Sequence, residues 1–280
     1  MEWEEEDTDD EIEQDFSVTV PQLRHGETLS DILESFQHEN KEDDKVPVIA
    51  RRRRVLQSMS MALSMHSFSW KKIPQVEFVG EMADDYGGPK REFLRLLMME
   101  VHSSLGVFEG RQGNLFFVYD REALDKKKYF LAGKLTAWSI FHDGPGPRGL
   151  NSTLYLMMCG QRPDVPAQVP ELPVDPVIQQ NIEKVWNCST PEELQTLKED
   201  FGDWIASCGM PAIYGAQIED LPSLRSTVME HYAFFRTAGM VQQYKDGFNS
   251  CGCFWQVVER NCMQFQPVFT NTVRNFKGVT

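Results

Sequence analysis

The chain has 280 residues, 41% of them hydrophobic, enough to bury a sizeable core as one domain or two small ones. Its formal charge is −14, but ten acids (Glu2, Glu4, Glu5, Glu6, Asp7, Asp9, Asp10, Glu11, Glu13, Asp15) and no base fall in the first fifteen residues, leaving −4 for the rest. That balance excludes nucleic acid as a natural partner, and no apolar run approaches the length of a membrane span. The six cysteines (Cys159, Cys188, Cys208, Cys251, Cys253, Cys262) contain no C-x-x-C pair and point to reduced thiols in the cytoplasm or nucleus.

Taken in chain order, residues 1 to about 20 read as a solvated, disordered acidic segment. Leu29, Ile32, Leu33 and Phe36 then recur at helical spacing behind Thr28, a short amphipathic helix expected to dock on the main body. The charged stretch from Glu39 to Lys45 reads as a linker. The expected division is therefore an acidic extension over residues 1–48, a body over 49–270 and a tail over 271–280. Arg51 to Arg54 match a nuclear-import pattern, but the continuation "RRRRVLQSMSMALSMHSF" reads better as a helix. Val55, Met59, Ala62 and Leu63 would face inward and the arginines outward, with Met59, Met61 and Met65 as adaptable core filler.

Val76 and Phe78 alternate with Glu77 and Val79, a short half-buried strand. Gly87 and Gly88 would allow a sharp turn, Pro89 suits a first helical position, and Phe93, Leu96, Leu97 and Val101 fall on one helical face. "NLFFVYD" predicts a strand. "REALDKKKYFLAGKLTAWSIFHDG" predicts a helix apolar most of the way round, hence central and buried. Residues 161–176 carry five prolines and read as an extended connection. "PEELQTLKEDFGDWIASCG" predicts a helix opened by Thr190 or Pro191 and closed near Gly209.

Chemical motifs are sparse. "GPGPRG" at 144–149 matches a dinucleotide fingerprint in form only, because it follows a helix and its prolines remove N–H groups a pyrophosphate would need. Cys251, Cys253 and Cys262 lack the second paired knuckle of a structural zinc site, so no metal and no cofactor is expected. Cys188, just ahead of a helix start, has the most suggestive position for a stabilised thiolate, against the plainer reading of an unreactive cysteine. His102 and His142 sit at helix ends, where they could cap carbonyls.

Three ordered segments resemble the HECT family of ubiquitin ligases. Val76, Phe78, Gly80, Glu81, Gly87, Gly88, Arg91, Glu92 and Phe93 occupy the places of its strand–glycine–helix opening. Gly133, Lys134, Ile140, His142 and Gly160 keep the frame of its buried helix and the helix that follows, with Ser139 where alanine is usual. Gln242, Gly247, Phe248 and Asn249 match a later segment. The resemblance covers roughly residues 49–270 and is strongest to the branch around the G2/M-phase-specific ubiquitin ligase.

The resemblance implies an α+β, predominantly helical fold like the larger, N-terminal lobe of those enzymes, with short strands. Gly87, Gly88, Arg91, Glu92, Phe93, Gly133 and His142 would then be scaffold, Arg91 and Glu92 as structural ion-pair partners. In the family a second, C-terminal lobe carries a cysteine that accepts ubiquitin as a thioester, in a context like T-C-F. No cysteine here has that context, so no catalytic residue carries over and the chain alone is expected to be inactive. The implied partner is a ubiquitin-conjugating enzyme, with ubiquitin itself reached indirectly. It would be recruited by residues 177–241, where the stripe Leu197, Phe201 and Trp204 is a contact surface or plain helix core. The alternative is a non-catalytic module that captures a conjugating enzyme or a full-length ligase.

Overall fold

A computed structural model describes residues 27–81 and 88–271. The acidic segment, Gly87 and the tail beyond residue 271 lie outside the described residues. The fold is mostly helical with a few short strands, an α+β arrangement.

Helix α1 (Leu29–Asn40) is set by a reciprocal capping box between Thr28 and Asp31. Its apolar stripe docks as expected: Phe36 stacks on Phe254 at 4.3 Å and meets Phe141 edge-on. Gln37 Nε2 donates to the Phe141 carbonyl at 2.7 Å. The stretch read as a linker is in fact strand β1 (Glu42–Ala50), and the expected boundary at residue 48 falls inside it. Its charged first half hid a period-two pattern in which Val46, Val48 and Ala50 are buried. β1 pairs in parallel with β2 (Lys72–Phe78), Val48 opposite Val76 and Ala50 opposite Phe78.

Helix α2 (Val55–Leu63) begins after the arginines and buries Val55, Met59 and Ala62. Met61 and Met65 are exposed, not core filler: Met61 falls on the face opposite Met59, and Met65 lies beyond the end of the helix. Glu100, from α3 (Gly88–Ser103), accepts from the Val55 and Leu56 amides and closes the α2 N-terminus. Gly88 is the first residue of α3 with an ordinary φ, and a Cβ there would meet open space. The expectation that it supplies a special conformation is therefore overturned. Glu92 pairs with Arg52 and Arg95, not with Arg91, which is exposed. Phe93 is buried edge-on against Trp138.

β3 (Phe108–Arg111) and β4 (Asn114–Phe117) form an antiparallel hairpin, Phe108 opposite Phe117. After the short α4 (Arg121–Asp125) comes α5 (Lys128–Phe141), buried over most of its surface as its sequence predicts. α5 crosses α10 (Ala238–Asn249) with the backbones in contact. A Cβ on Gly133 would land on the Tyr244 carbonyl, and one on Gly247 on the Phe130 carbonyl. The crossing is thus closed by two glycines facing each other's partner backbone.

The 144–149 glycines serve packing, not phosphate. Arg148 N–H donates to the Val268 carbonyl and Leu150 N–H to that of Phe269, and a Cβ on Gly146 would strike Val268. These bonds tie the loop to the last helix, α12 (Cys262–Phe269), which follows α11 (Phe254–Arg260). α6 (Ser152–Met158) packs on α12 through the Tyr155 hydroxyl, which donates to the Cys262 carbonyl at 2.7 Å.

Gly247→Ala or Gly133→Ala forces a methyl against a backbone carbonyl that cannot retreat. Each is expected to cost more than about 3 kcal/mol, read as loss of soluble protein or a large drop in urea midpoint. Gly88→Ala should leave the midpoint unchanged.

Candidate functional site

The region implied to recruit a partner is built on α7 (Pro176–Asn187), α8 (Pro191–Ser207) and α9 (Leu221–Ala233). Asp175 caps α7 by accepting from the Val177 and Ile178 amides, with Pro176 at the first helical position. The sequence predicts that α8 opens at Thr190 or Pro191; Thr190 is the cap, in a capping box with Glu193, and Pro191 is the first helical residue. Glu193 also accepts from Ser189, and these backbone donors hold its carboxyl below the usual range. The C-terminus of α7 is closed by Arg225 of α9, whose Nη2 donates to the Trp186 and Cys188 carbonyls at 2.9 and 2.8 Å. A cation there offsets the negative end of the helix dipole. Arg236 then joins this helical layer to β3, Nη2 donating to Glu109 at 2.9 Å.

Between α7 and α8 lies an open cleft of about 320 Å³, lined by Lys184, Asn187, Cys188, Glu193, Thr196, Leu197, Asp200 and Phe201. Leu197 is buried at its floor; Phe201 is half-buried, its ring under the Lys184 ammonium at 4.2 Å. Trp204, grouped with these two by spacing, lines a different contact: its Nε1–H donates to the Tyr232 hydroxyl at 2.8 Å and its ring stacks on Tyr232. The stripe is therefore split, two residues in the cleft and the third locked onto α9. Glu193 and Asp200 share the α8 face with Leu197 and Phe201 at helical spacing, and extending the stripe to polar residues would have found them. Lys184 and Arg225 carry no comparable signal, since only the packing of α7 against its neighbours brings them here.

Among the other expected scaffold residues, His142 is buried with Nε2 2.9 Å from the Trp70 carbonyl. It reaches across to a loop rather than capping its own helix. Burial lowers its pKa to about 4, against the opposing pull of that carbonyl. The imidazole is therefore neutral at pH 7, with Nε2 as the donor. His102 is held below its usual range by burial alone.

Cys159, Cys188, Cys208, Cys251 and Cys262 are buried, and only Cys253 is exposed. Burial raises the Cys188 pKa, with Glu193 adding to it and Arg225 opposing. The helix-dipole argument for Cys188 fails because its side chain is removed from water. Burial likewise pushes Cys251 up to about 12. Among the described residues no cluster of three or more His, Cys, Asp or Glu is placed to hold a metal, and no helix is long and apolar enough to cross a membrane.

No family model matches the chain. It is 25% identical over 195 residues to the G2/M phase-specific E3 ubiquitin-protein ligase of Gallus gallus, covering 70% of this chain and 26% of that protein. The protein of the same name from Macaca fascicularis is 23% identical over 168 residues, 60% of this chain and 23% of the relative. That from Homo sapiens is 37% identical over 71 residues, 25% of this chain and 10% of the relative. The chain thus spans about a quarter of the length of the first two relatives. These similarities relate it, at low identity, to E3 ubiquitin-protein ligases.

Two measurements test this picture. In the folded chain, iodoacetamide should label Cys253 rapidly and the other five only on unfolding; fast labelling of Cys188 contradicts its burial. For His142, the unfolded imidazole titrates near 6.5 and the folded one near 4, so between those values the unfolded state holds the extra proton. Stability present above pH 6.5 is lost as pH falls toward 4, about 3 kcal/mol from this group. Urea unfolding of His142→Gln should show a flatter pH dependence across that window.

Proposed function

We propose that this chain acts in ubiquitin transfer as a lobe like the N-terminal lobe of HECT ligases, recruiting a ubiquitin-conjugating enzyme through residues 177–241. Sequence similarity and the packing it predicts support the reading. The similarity to named E3 ubiquitin-protein ligases covers most of the chain, and the resemblance in three ordered segments includes the glycines at the α5–α10 crossing. The observation that carries the recruitment is the α7–α8 cleft, an apolar floor at Leu197 and an aromatic wall at Phe201 with charges of both signs at its rim. An aromatic ring in a partly desolvated pocket is the usual anchor of a protein interface.

The accepting cysteine of the transfer reaction lies outside the six of this chain. A thioester forms when a thiolate attacks the ubiquitin carbonyl and the conjugating enzyme's thiol leaves; five of the six thiols are shielded from any such approach, and the exposed Cys253 follows a glycine, not the threonine of the family's T-C-F context. That same burial favours the second reading, a module in the cytoplasm or nucleus that captures a conjugating enzyme or a full-length ligase and transfers nothing.

Binding of the full chain to a panel of conjugating enzymes, measured by calorimetry, tests recruitment. At least one should bind, and Phe201→Ala should weaken it about tenfold or more while the melting temperature shifts by only a few degrees. No binding by any member of the panel sinks the proposal. With ubiquitin-charged enzymes, no thiol-sensitive adduct should form on this chain.

A further inference from the structure

The turn between β1 and α2 carries Arg51, Arg52, Arg53 and Arg54, all exposed. The turn itself is fixed: Arg51 N–H donates to Ser58 Oγ at 3.1 Å, and the Arg54 carbonyl accepts from both the amide and the hydroxyl of Ser58. Arg52 is anchored, its Nε and Nη2 on Glu81 at 2.6 and 2.9 Å, Nη1 on Glu92 at 3.2 Å, and its guanidinium 4.2 Å over Phe78. Arg51, Arg53 and Arg54 enter no ion pair among the described residues. The amides of Val55 and Leu56 at the start of α2 are already taken by Glu100. What the turn offers a ligand is the guanidinium groups of Arg51, Arg53 and Arg54 on a rigid base, with Arg91 exposed on the neighbouring α3 while Arg95 is held on Glu92.

We propose that the acidic segment of this same chain, Glu2 to Asp15, docks on this arginine turn. Charge complementarity selects the site. With the segment removed the chain still carries a net −4, while this turn presents Arg51, Arg53 and Arg54 side by side, exposed and outside the ion pairs of the described residues. Arginine forks match carboxylates in pairs, giving the contact a geometry as well as a sign. Reach is sufficient: thirteen residues separate Asp15 from Leu29, up to about 45 Å of extended chain and more for every earlier acid, while α1 (about 18 Å) and β1 (about 30 Å) laid end to end put the arginines at most about 48 Å from Leu29. Tethering supplies an effective concentration on the order of millimolar, so a weak intrinsic affinity populates the docked state. Docking would cover the arginine run against polyanions and against any receptor that reads basic runs.

The test is arginine footprinting of the full chain with phenylglyoxal, read by mass spectrometry. At about 20 mM salt, Arg51, Arg53 and Arg54 should react severalfold more slowly than in a variant whose ten acids are changed to Asn and Gln, and at about 0.5 M salt the difference should vanish. Arg121 and Arg162 should react alike in both chains, and Arg225, held on its carbonyls, marks both as folded. In the wild-type chain alone, salt should speed modification of the turn relative to Arg121. Equal low-salt rates at the turn in the two chains overturn the proposal, as does slowing shared by Arg121 and Arg162. Protection of the turn that arises only on adding heparin also overturns it, and assigns the arginines to an external polyanion.

Discussion

The contact on which the rest of the structure depends is the crossing of α5 and α10, where Gly133 and Gly247 let two helix backbones touch. A helix that is apolar nearly all round can be satisfied only at the centre of a fold, and its neighbours must approach closely to fill the space around it. Gly133 sits under the Tyr244 carbonyl and Gly247 under that of Phe130, so each helix supplies the gap the other needs. Tyr244 and Phe248 then pack outward from the crossing against Phe117 and Trp255, which carries the contact to the β3–β4 hairpin and to α11. Gln243 fixes the rotation of α10, donating to the Leu124 carbonyl and accepting from the Phe130 amide.

Around that centre the chain is closed by groups far apart in sequence. Phe36, near the N-terminal end of the described residues, stacks on Phe254, near the other end. The loop at 144–149 is held by backbone bonds to α12, and the isolated bridges of Leu150 to Leu115 and to Thr270 complete the seam. α1 and β1 are therefore part of the core and not an appendage.

The layer of α7, α8 and α9 obeys a different logic. Its helices are stopped by side chains rather than by burial: Asp175, Thr190 and Glu193 at N-termini, Arg225 at a C-terminus. Because the α7–α8 junction is capped by polar groups, the two helices can diverge at their surface and leave a cleft without exposing unpaired backbone. Lys184 over Phe201 keeps the aromatic wall partly covered.

The sequence by itself determined the elements whose signals are local. The helix starts behind Thr28 and at Thr190, the alternation at Val76 and Phe78, the all-round apolar α5 and the proline-rich connection depend on near neighbours, and each reads directly. It also marked Leu197, Phe201 and Trp204 as one stripe. Tertiary structure alone decided what depends on partners distant in the chain. It made a strand of the charged stretch before Val46, because only β2 supplies the other half of its hydrogen bonds. It sent Trp204 to Tyr232 and away from the cleft, turned Glu92 to Arg52 as well as to its neighbour Arg95, and put Met61 and Met65 on the solvent side. It also removed Cys188 from the reach of solvent and with it the case for a reactive thiol. Periodicity assigns a face to each residue, but what that face meets is fixed only when helices from opposite ends of the chain pack together.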